Sequence, residues 1–194
     1  MRQTPDGSHP APVHSGRVLG DGGRETPRGV QDLAGGMAMI RLTPMPQKDL
    51  RQYRDIVVPE LAQELSQAHD LAWEDGLAAA RASFARLLPG NRVASPDQYL
   101  YTIRHARQKV GVLWFGIQRS QGKAEAFVWH IFIYPPYRGQ GYGKRAMLAL
   151  EGKVQELGLG VIRLNVFGHN AIARQLYEQL GYETVSIRMK KYLP

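Results

Sequence analysis

The chain contains no cysteine. Disulfide bonds, thiolate metal sites and cysteine nucleophiles are therefore excluded, and so is any reaction through an acyl-cysteine intermediate. A chain without disulfides is most simply a protein of the reducing cytoplasm. We expect a cytoplasmic location and no metal cofactor.

The chain also lacks a long apolar run. No window approaches the roughly 18 consecutive apolar residues that a membrane span needs. The first residues contain no continuous apolar stretch of the kind found in secretory signals. We therefore expect a soluble protein without a membrane partner.

Residues 1–38 lack the apolar side chains that a core needs. They contain no aromatic residue, whereas eight glycines and four prolines precede Met37. Such a segment buries too little apolar surface to offset the entropy lost on folding. We interpret residues 1–38 as a disordered extension and residues 39–194 as one domain.

Basic runs are missing too, although the formal net charge is +8 and the pI is about 9.9. Because the positive charge is spread along the chain, we expect no nucleic-acid partner. Residues 48–75 carry a net negative charge, unlike the chain as a whole, with seven acidic residues against three basic ones. This segment is interpreted either as solvated helix faces or as an acidic lobe for a cationic amine.

The spacing of the apolar residues predicts an α+β fold with a mixed sheet. Apolar residues three and four positions apart predict helices, and apolar runs bounded by turn residues predict strands. Short turns between three central strands imply an antiparallel meander, and the later crossover helices imply parallel pairing. Pro59 is expected to bend or split the first helix. Strands are predicted at residues 39–42, 99–104, 109–117, 125–134, 161–167 and 182–192, and helices at 50–65, 73–88, 142–157 and 171–180.

A glycine-rich loop follows the last meander strand and precedes a predicted helix. Its sequence is Arg138-Gly139-Gln140-Gly141-Tyr142-Gly143. Glycine removes side chains that would keep an anion from the backbone, and a helix start adds unpaired N–H groups and a positive dipole end. The loop is therefore a candidate pyrophosphate cradle.

Two familiar phosphate loops do not fit this spacing. A dinucleotide fingerprint would need glycine at Lys144 or Ala146. A P-loop would need glycine at Arg138 and serine or threonine at Arg145. What remains is an arginine followed by glycines three and five positions later, namely Arg138, Gly141 and Gly143.

That spacing resembles the coenzyme A loop of the GNAT N-acetyltransferase superfamily. The strand residues Ile131-Phe132-Ile133-Tyr134 before the loop, and residues 170–182 after it, resemble the same family, and the resemblance covers residues 39–194. It implies a GNAT-like fold in which acetyl-CoA lies in a wedge between strands 125–134 and 161–167. The implied reaction is direct acetyl transfer, in a ternary complex, to a primary amine of a small molecule or peptide. The resemblance also leaves room for a homodimer.

The resemblance assigns cofactor contacts around this wedge. The backbone of Ile131 and Ile133 would pair with the pantetheine arm and polarise the thioester carbonyl. N–H groups from Arg138 to Lys144 would hold the pyrophosphate, while Asn170 would contact the cofactor and cap its own helix. The expected cofactor-binding residues are Ile131, Phe132, Ile133, Arg138, Gly139, Gln140, Gly141, Tyr142, Gly143, Lys144, Asn170 and Tyr177.

Two catalytic roles are implied, a proton donor to the departing thiolate and a base for the amine. Tyr177 matches the family's tyrosine, a phenol that can donate to the sulfur. The base departs from the family pattern, because acidic residues that many members carry are replaced here by His130, Phe132 and Asn165. His130 is the nearest titratable substitute and the expected base, with His169 and Glu125 as alternatives.

The missing acid leaves a second hypothesis open. A chain that binds acetyl-CoA without a base could be a non-catalytic acyl-CoA-binding regulatory module. Binding without turnover would favour that module, whereas turnover of an amine would favour the enzyme.

Overall fold

A five-stranded mixed sheet, with two helices against each face, forms the centre of the fold. The computed structural model describes residues 39–120 and 122–193. The expected disordered extension, residues 1–38, lies outside the described residues. Within the described part of the chain, no helix is long and apolar enough to cross a membrane. The strands are β1 (Ile40–Pro44), β2 (Gln98–His105), β3 (Gln108–Ser120), β4 (Lys123–Ile133) and β5 (Ile162–Leu164), and the helices are α1 (Leu50–His69), α2 (Trp73–Leu87), α3 (Tyr142–Glu156) and α4 (Ala171–Gln179).

The strands follow one another in the sheet in chain order. The first four pair antiparallel, and β4 pairs parallel with β5 after the α3 crossover. The predicted α+β fold, an antiparallel meander followed by a parallel βαβ unit, is confirmed. The site is built where these two parts meet.

The sheet separates two apolar clusters. Successive side chains on a strand point to opposite faces. On β3, Trp114 packs against α1 and α2, whereas Phe115 packs on the side of α3 and α4, and both are fully buried. Burying one phenylalanine side chain contributes about 1.5–3 kcal/mol. We call these sides the α1/α2 face and the α3/α4 face.

Helix α1 is not split at Pro59, which lies inside its continuous span Leu50–His69. Proline removes one N–H donor, and the carbonyl left without it belongs to Asp55, four residues earlier. Asp55 is exposed, so water can satisfy that carbonyl. Val57 and Leu61 on either side of the proline are buried against the sheet and hold the helix in place.

The predicted strand at residues 182–192 is wrong. The structure assigns no strand or helix to this segment, and its alternating apolar residues Val185, Ile187 and Met189 are exposed. A strand requires a ladder partner, and alternation in the sequence supplies only half of such a pair. The segment is instead tied to the end of α1, where Lys190 Nζ lies 2.8 Å from Asp70 Oδ2.

Gly111 allows β3 and β4 to approach closely. A Cβ at this position would lie 2.2 Å from the carbonyl oxygen of Phe132. We expect Gly111→Ala to lower the free energy of unfolding by about 1–3 kcal/mol in urea denaturation, because the backbone must shift to relieve the clash. Gly152→Ala is the control, since the described atoms leave 4 Å of open space around its added Cβ. Equal stabilities of the two variants would contradict this reasoning.

Candidate active site

The two parallel strands of the βαβ unit separate after a short contact. Their ladder comprises three pairs, from Ala126 with Ile162 to Val128 with Leu164. Strand β4 continues to Ile133, so residues 129–133 have no strand beside them on this edge among the described residues. Backbone groups on such an edge need other hydrogen-bond partners. The gap fits a strand-like ligand, as the predicted wedge requires.

The glycine loop begins where this open edge ends. Gly139 and Gly141 both have φ of 73°, a left-handed conformation that favours glycine. A Cβ at either position would meet no described atom within 4 Å, so the loop faces open space. Gly141 is the N-cap of α3, whose first N–H groups have no intrahelical acceptor. Together these features form a cradle that suits an anion.

The Arg138 side chain turns back toward β4. Its Nε donates to the Ile133 carbonyl at 2.9 Å, and its guanidinium lies 5.1 Å from the centre of the Phe132 ring. The Arg138 N–H also donates within the turn, to the Pro135 carbonyl at 3.2 Å. In this arrangement Arg138 fixes the loop against the strand end.

The other side chains of the loop divide between core and surface. Tyr142 is buried, and its Oη lies 3.0 Å from His105 Nδ1. Arg145 covers the Tyr142 ring at 4.6 Å and donates to the Gln140 carbonyl at 2.9 Å. Lys144 is exposed on the first turn of α3. Lys144 is therefore the cation of this loop that is best placed to meet a bound anion.

Helix α4 carries two of the predicted site residues. Asn170 caps it, because its Oδ1 accepts a hydrogen bond from the Ala173 N–H at 3.1 Å. The predicted capping role is confirmed. Tyr177 lies two turns further on and is buried in the cluster of the α3/α4 face, 5.6 Å from the Tyr182 ring. Asn170 and Tyr177 are seven residues apart, and seven residues along a helix return to nearly the same side. Both therefore lie toward one face of α4.

His130 lies on the opposite face of the sheet and is completely buried. Its Nδ1 is 3.0 Å from the Tyr53 hydroxyl, and its Nε2 is 3.1 Å from Glu60 Oε2. A β-bulge directs it there. Trp114 pairs with His130 and the next residue pairs with Val128, so Trp129 is extra. Both Trp129 and His130 consequently pack toward α1.

Tyr53 and Glu60 are functional candidates that the sequence reasoning missed. Both come from α1, seven residues apart, and share the face that carries buried Val57. An acidic residue beside an apolar helix stripe was the available signal. Burial raises the pKa of the Tyr53 phenol well above its ordinary value, and the nearby charges of Glu60 and Tyr134 add to this.

The alternative bases lie elsewhere. Glu125 forms an ion pair with Arg163 of β5, with Oε2 and Nε 2.5 Å apart. It is five residues before His130, roughly 16 Å along the strand. His169 is exposed in the loop before α4 and stacks on Phe167, and Asn165 is exposed at the end of β5. Glu125 and His169 thus have partners other than the cluster around His130.

The acidic segment of residues 48–75 is not a uniform anionic surface. Asp49 lies 2.5 Å from Lys109 Nζ, and Asp70 lies 2.8 Å from Lys190 Nζ. Glu60 and Glu64 of α1 are instead half-buried. Glu64 Oε2 is buried, with no hydrogen-bond partner in the described part of the chain. Burial, reinforced by Glu60, raises the pKa of Glu64 to about 8.

Glu64 makes stability depend on pH. Its folded pKa of about 8 exceeds its ordinary value of 4.5, so the folded state alone holds the proton between these values. The contribution of this proton to the free energy of unfolding is fully present below the lower pKa and is lost as pH rises through the higher one. We expect Glu64→Gln to remove this loss. At pH 9 its free energy of unfolding should exceed that of the wild type by about 1–4 kcal/mol, since one pKa unit corresponds to about 1.4 kcal/mol. Urea unfolding at pH 5 and 9 measures this, with exposed Glu74→Gln as control; a gain equal at both pH values would refute it.

Comparison with known proteins places this geometry in a family. The model of the acetyltransferase (GNAT) family matches residues 58–182. An uncharacterised N-acetyltransferase of Bacillus subtilis (strain 168), YycN, is 34% identical over 155 residues, which cover 79% of this chain and 99% of the relative. Its crystal structure superposes with a TM-score of 0.75 at 33% identity, covering 80% of this chain and 99% of that one.

A second similarity is shorter. The [ribosomal protein bS18]-alanine N-acetyltransferase of Haemophilus ducreyi is 34% identical over 70 residues, which cover 36% of this chain and 48% of the relative. The family model covers most of the chain, and the relative YycN matches it over nearly its own full length. The chain belongs to the acetyltransferase (GNAT) family of enzymes.

Proposed function

We propose that this chain is a cytoplasmic N-acetyltransferase that moves an acetyl group from acetyl-CoA to a primary amine. The amine, on a small molecule or a peptide, attacks the thioester directly in a ternary complex. The observation that carries the proposal is the open edge of β4 at residues 129–133, which leads into the glycine cradle. A ligand with an extended arm and a pyrophosphate matches both parts, and acetyl-CoA is the co-substrate of this family.

The donor site uses mainly backbone groups. The exposed edge at Ile131 and Ile133 would pair with the pantetheine arm, although the Ile133 carbonyl already accepts from Arg138. The amides of residues 139–144 would hold the pyrophosphate, assisted by the Lys144 ammonium. Asn170 and Tyr177 border the arm from α4. These contacts bind and orient the donor with little dependence on side-chain identity.

Proton transfer completes the reaction. Amines are mostly protonated near neutral pH, so the acceptor must lose a proton before it attacks. The cluster around His130 is proposed to receive that proton. Tyr177 is proposed to give a hydrogen bond or proton to the thiolate as the carbon–sulfur bond breaks. The alternative, a non-catalytic module, was motivated by the carboxylate that β4 lacks; Glu60 of α1 offers a carboxylate beside His130, which supports the enzyme.

Turnover with a panel of amines tests the function. The panel contains polyamines, aminoglycosides, amino acids and peptides, including one that begins with alanine, because a partial relative is named for a ribosomal-protein alanine. We expect release of free CoA with at least one amine, together with acetyl-CoA binding by calorimetry. Tight binding without turnover of any amine would favour the regulatory module.

Tyr177→Phe tests the proton donor. The substitution removes the hydroxyl and keeps the ring that fills the α3/α4 face. We expect kcat to fall by about 10- to 1,000-fold, because protonation of the leaving group is lost, while acetyl-CoA affinity stays within a factor of about two. Tyr192→Phe, on the exposed terminal segment, is the matched control. Unchanged turnover of Tyr177→Phe would remove this residue from the mechanism.

A further inference from the structure

The His130 imidazole is closed to an incoming amine. Its side chain has no exposed surface. Both ring nitrogens already face a partner, Nδ1 the Tyr53 hydroxyl at 3.0 Å and Nε2 the Glu60 carboxylate at 3.1 Å. A direct base needs a nitrogen lone pair within hydrogen-bond reach of the amine. His130 therefore lacks the access that this role requires.

The three side chains define one consistent hydrogen-bond chain. An ionised carboxylate only accepts hydrogen bonds, so Glu60 requires a proton on His130 Nε2. The neutral imidazole then has its lone pair on Nδ1, which accepts from the Tyr53 hydroxyl. Both contacts are satisfied with one tautomer. In this hydrogen-bond chain, His130 donates its Nε2–H to Glu60 and fixes the position of the carboxylate.

The three side chains of this hydrogen-bond chain differ sharply in their exposure to solvent. The Glu60 side chain is 30% exposed, whereas the His130 side chain is 0% and Tyr53 is 2% exposed. Glu60 is thus the member that a molecule from solvent can touch. A carboxylate has two oxygens, so Glu60 can accept a proton while its Oε2 keeps the contact with His130 Nε2.

We propose that Glu60 takes the proton from the acceptor amine, and that His130 and Tyr53 are positioning residues that hold its carboxylate. This inference rests on the proposed acetyl transfer. The ammonium gives a proton to a Glu60 oxygen, and the freed nitrogen lone pair forms the bond to the thioester carbon. The electron pair of the broken carbon–sulfur bond stays on sulfur, which takes a proton from Tyr177. The second surplus proton of the nitrogen then restores the Tyr177 phenol. Glu60 returns its proton to solvent.

The surroundings of Glu60 support this role. From β4 it faces His130, and from α1 it is close enough to Glu64 and Tyr53 to influence both electrostatically. Tyr134, the residue after β4, acts in turn on Tyr53. Burial and Glu60 raise the pKa of Glu64 to about 8, so at neutral pH Glu64 stays uncharged. Glu60 then works beside a neutral carboxyl group.

Glu60→Gln is the first test, because the amide oxygen still accepts from His130 Nε2 but the group cannot take a proton. We expect kcat to fall by about 100- to 10,000-fold and the acidic limb of the pH–rate profile to disappear. Acetyl-CoA affinity should stay within a factor of about two. Glu74→Gln, exposed on the first turn of α2, should retain wild-type rates.

His130→Gln separates the two candidate bases. A glutamine amide can still donate to Glu60, so we expect a smaller loss of about 3- to 30-fold, with the acidic limb retained. Tyr53→Phe should behave similarly. If kcat falls further in His130→Gln than in Glu60→Gln, histidine is the base and the proposal is wrong. The same holds if His130→Gln loses the acidic limb of the pH–rate profile while Glu60→Gln keeps it.

Two further measurements keep the outcome clear. Glu60→Asp retains a carboxylate, so it should keep the acidic limb at reduced kcat even if Glu60→Gln fails to fold. Nitrogen NMR of His130, recorded without acetyl-CoA, should show the neutral form with hydrogen on Nε2; the other tautomer would overturn the chain. Absence of turnover by the wild type would refute the proposed function, whereas normal turnover by Glu60→Gln would refute this inference alone.

Discussion

Strands β4 and β5 run together for three residue pairs and then separate, and the geometry of the site depends on this separation. A strand edge inside a protein has to find hydrogen-bond partners. Here the edge opens toward the turn Pro135–Tyr137 and the glycine loop beyond it. An extended arm laid along β4 would therefore bring an attached anionic group to the start of α3, without help from a large side-chain pocket.

Strand β4 also divides the chemistry between its two faces. Tyr177 lies on the α3/α4 face, whereas His130 and Glu60 lie on the α1/α2 face. In the proposed reaction, the proton added to sulfur and the proton removed from nitrogen are handled on opposite sides of one strand. In that proposed reaction, the reacting atoms would meet between the two groups.

Local signals in the sequence predicted much of this arrangement. Glycine spacing identified the cradle, and the Asn170 cap was confirmed, because each depends on neighbouring residues. The Glu60 contact with His130 joins residues 70 positions apart, and helix packing rather than a motif creates it. The strand at residues 182–192 was wrong for a related reason, since a ladder needs a partner that alternation cannot specify.

The bulge at Trp129 changes how β4 is to be interpreted. Before it, the odd-numbered Phe127 faces α1, and after it the even-numbered His130 and Phe132 do so. The alternation of side chains between the two faces of β4 therefore shifts by one residue at Trp129. Without Trp129, the neighbouring pairs Phe115 with Val128 and Trp114 with His130 would follow each other in a regular ladder, so every later side chain would keep its face. In an aligned relative, a one-residue gap at this point would therefore remove the bulge and still leave the residue aligned with His130 facing α1.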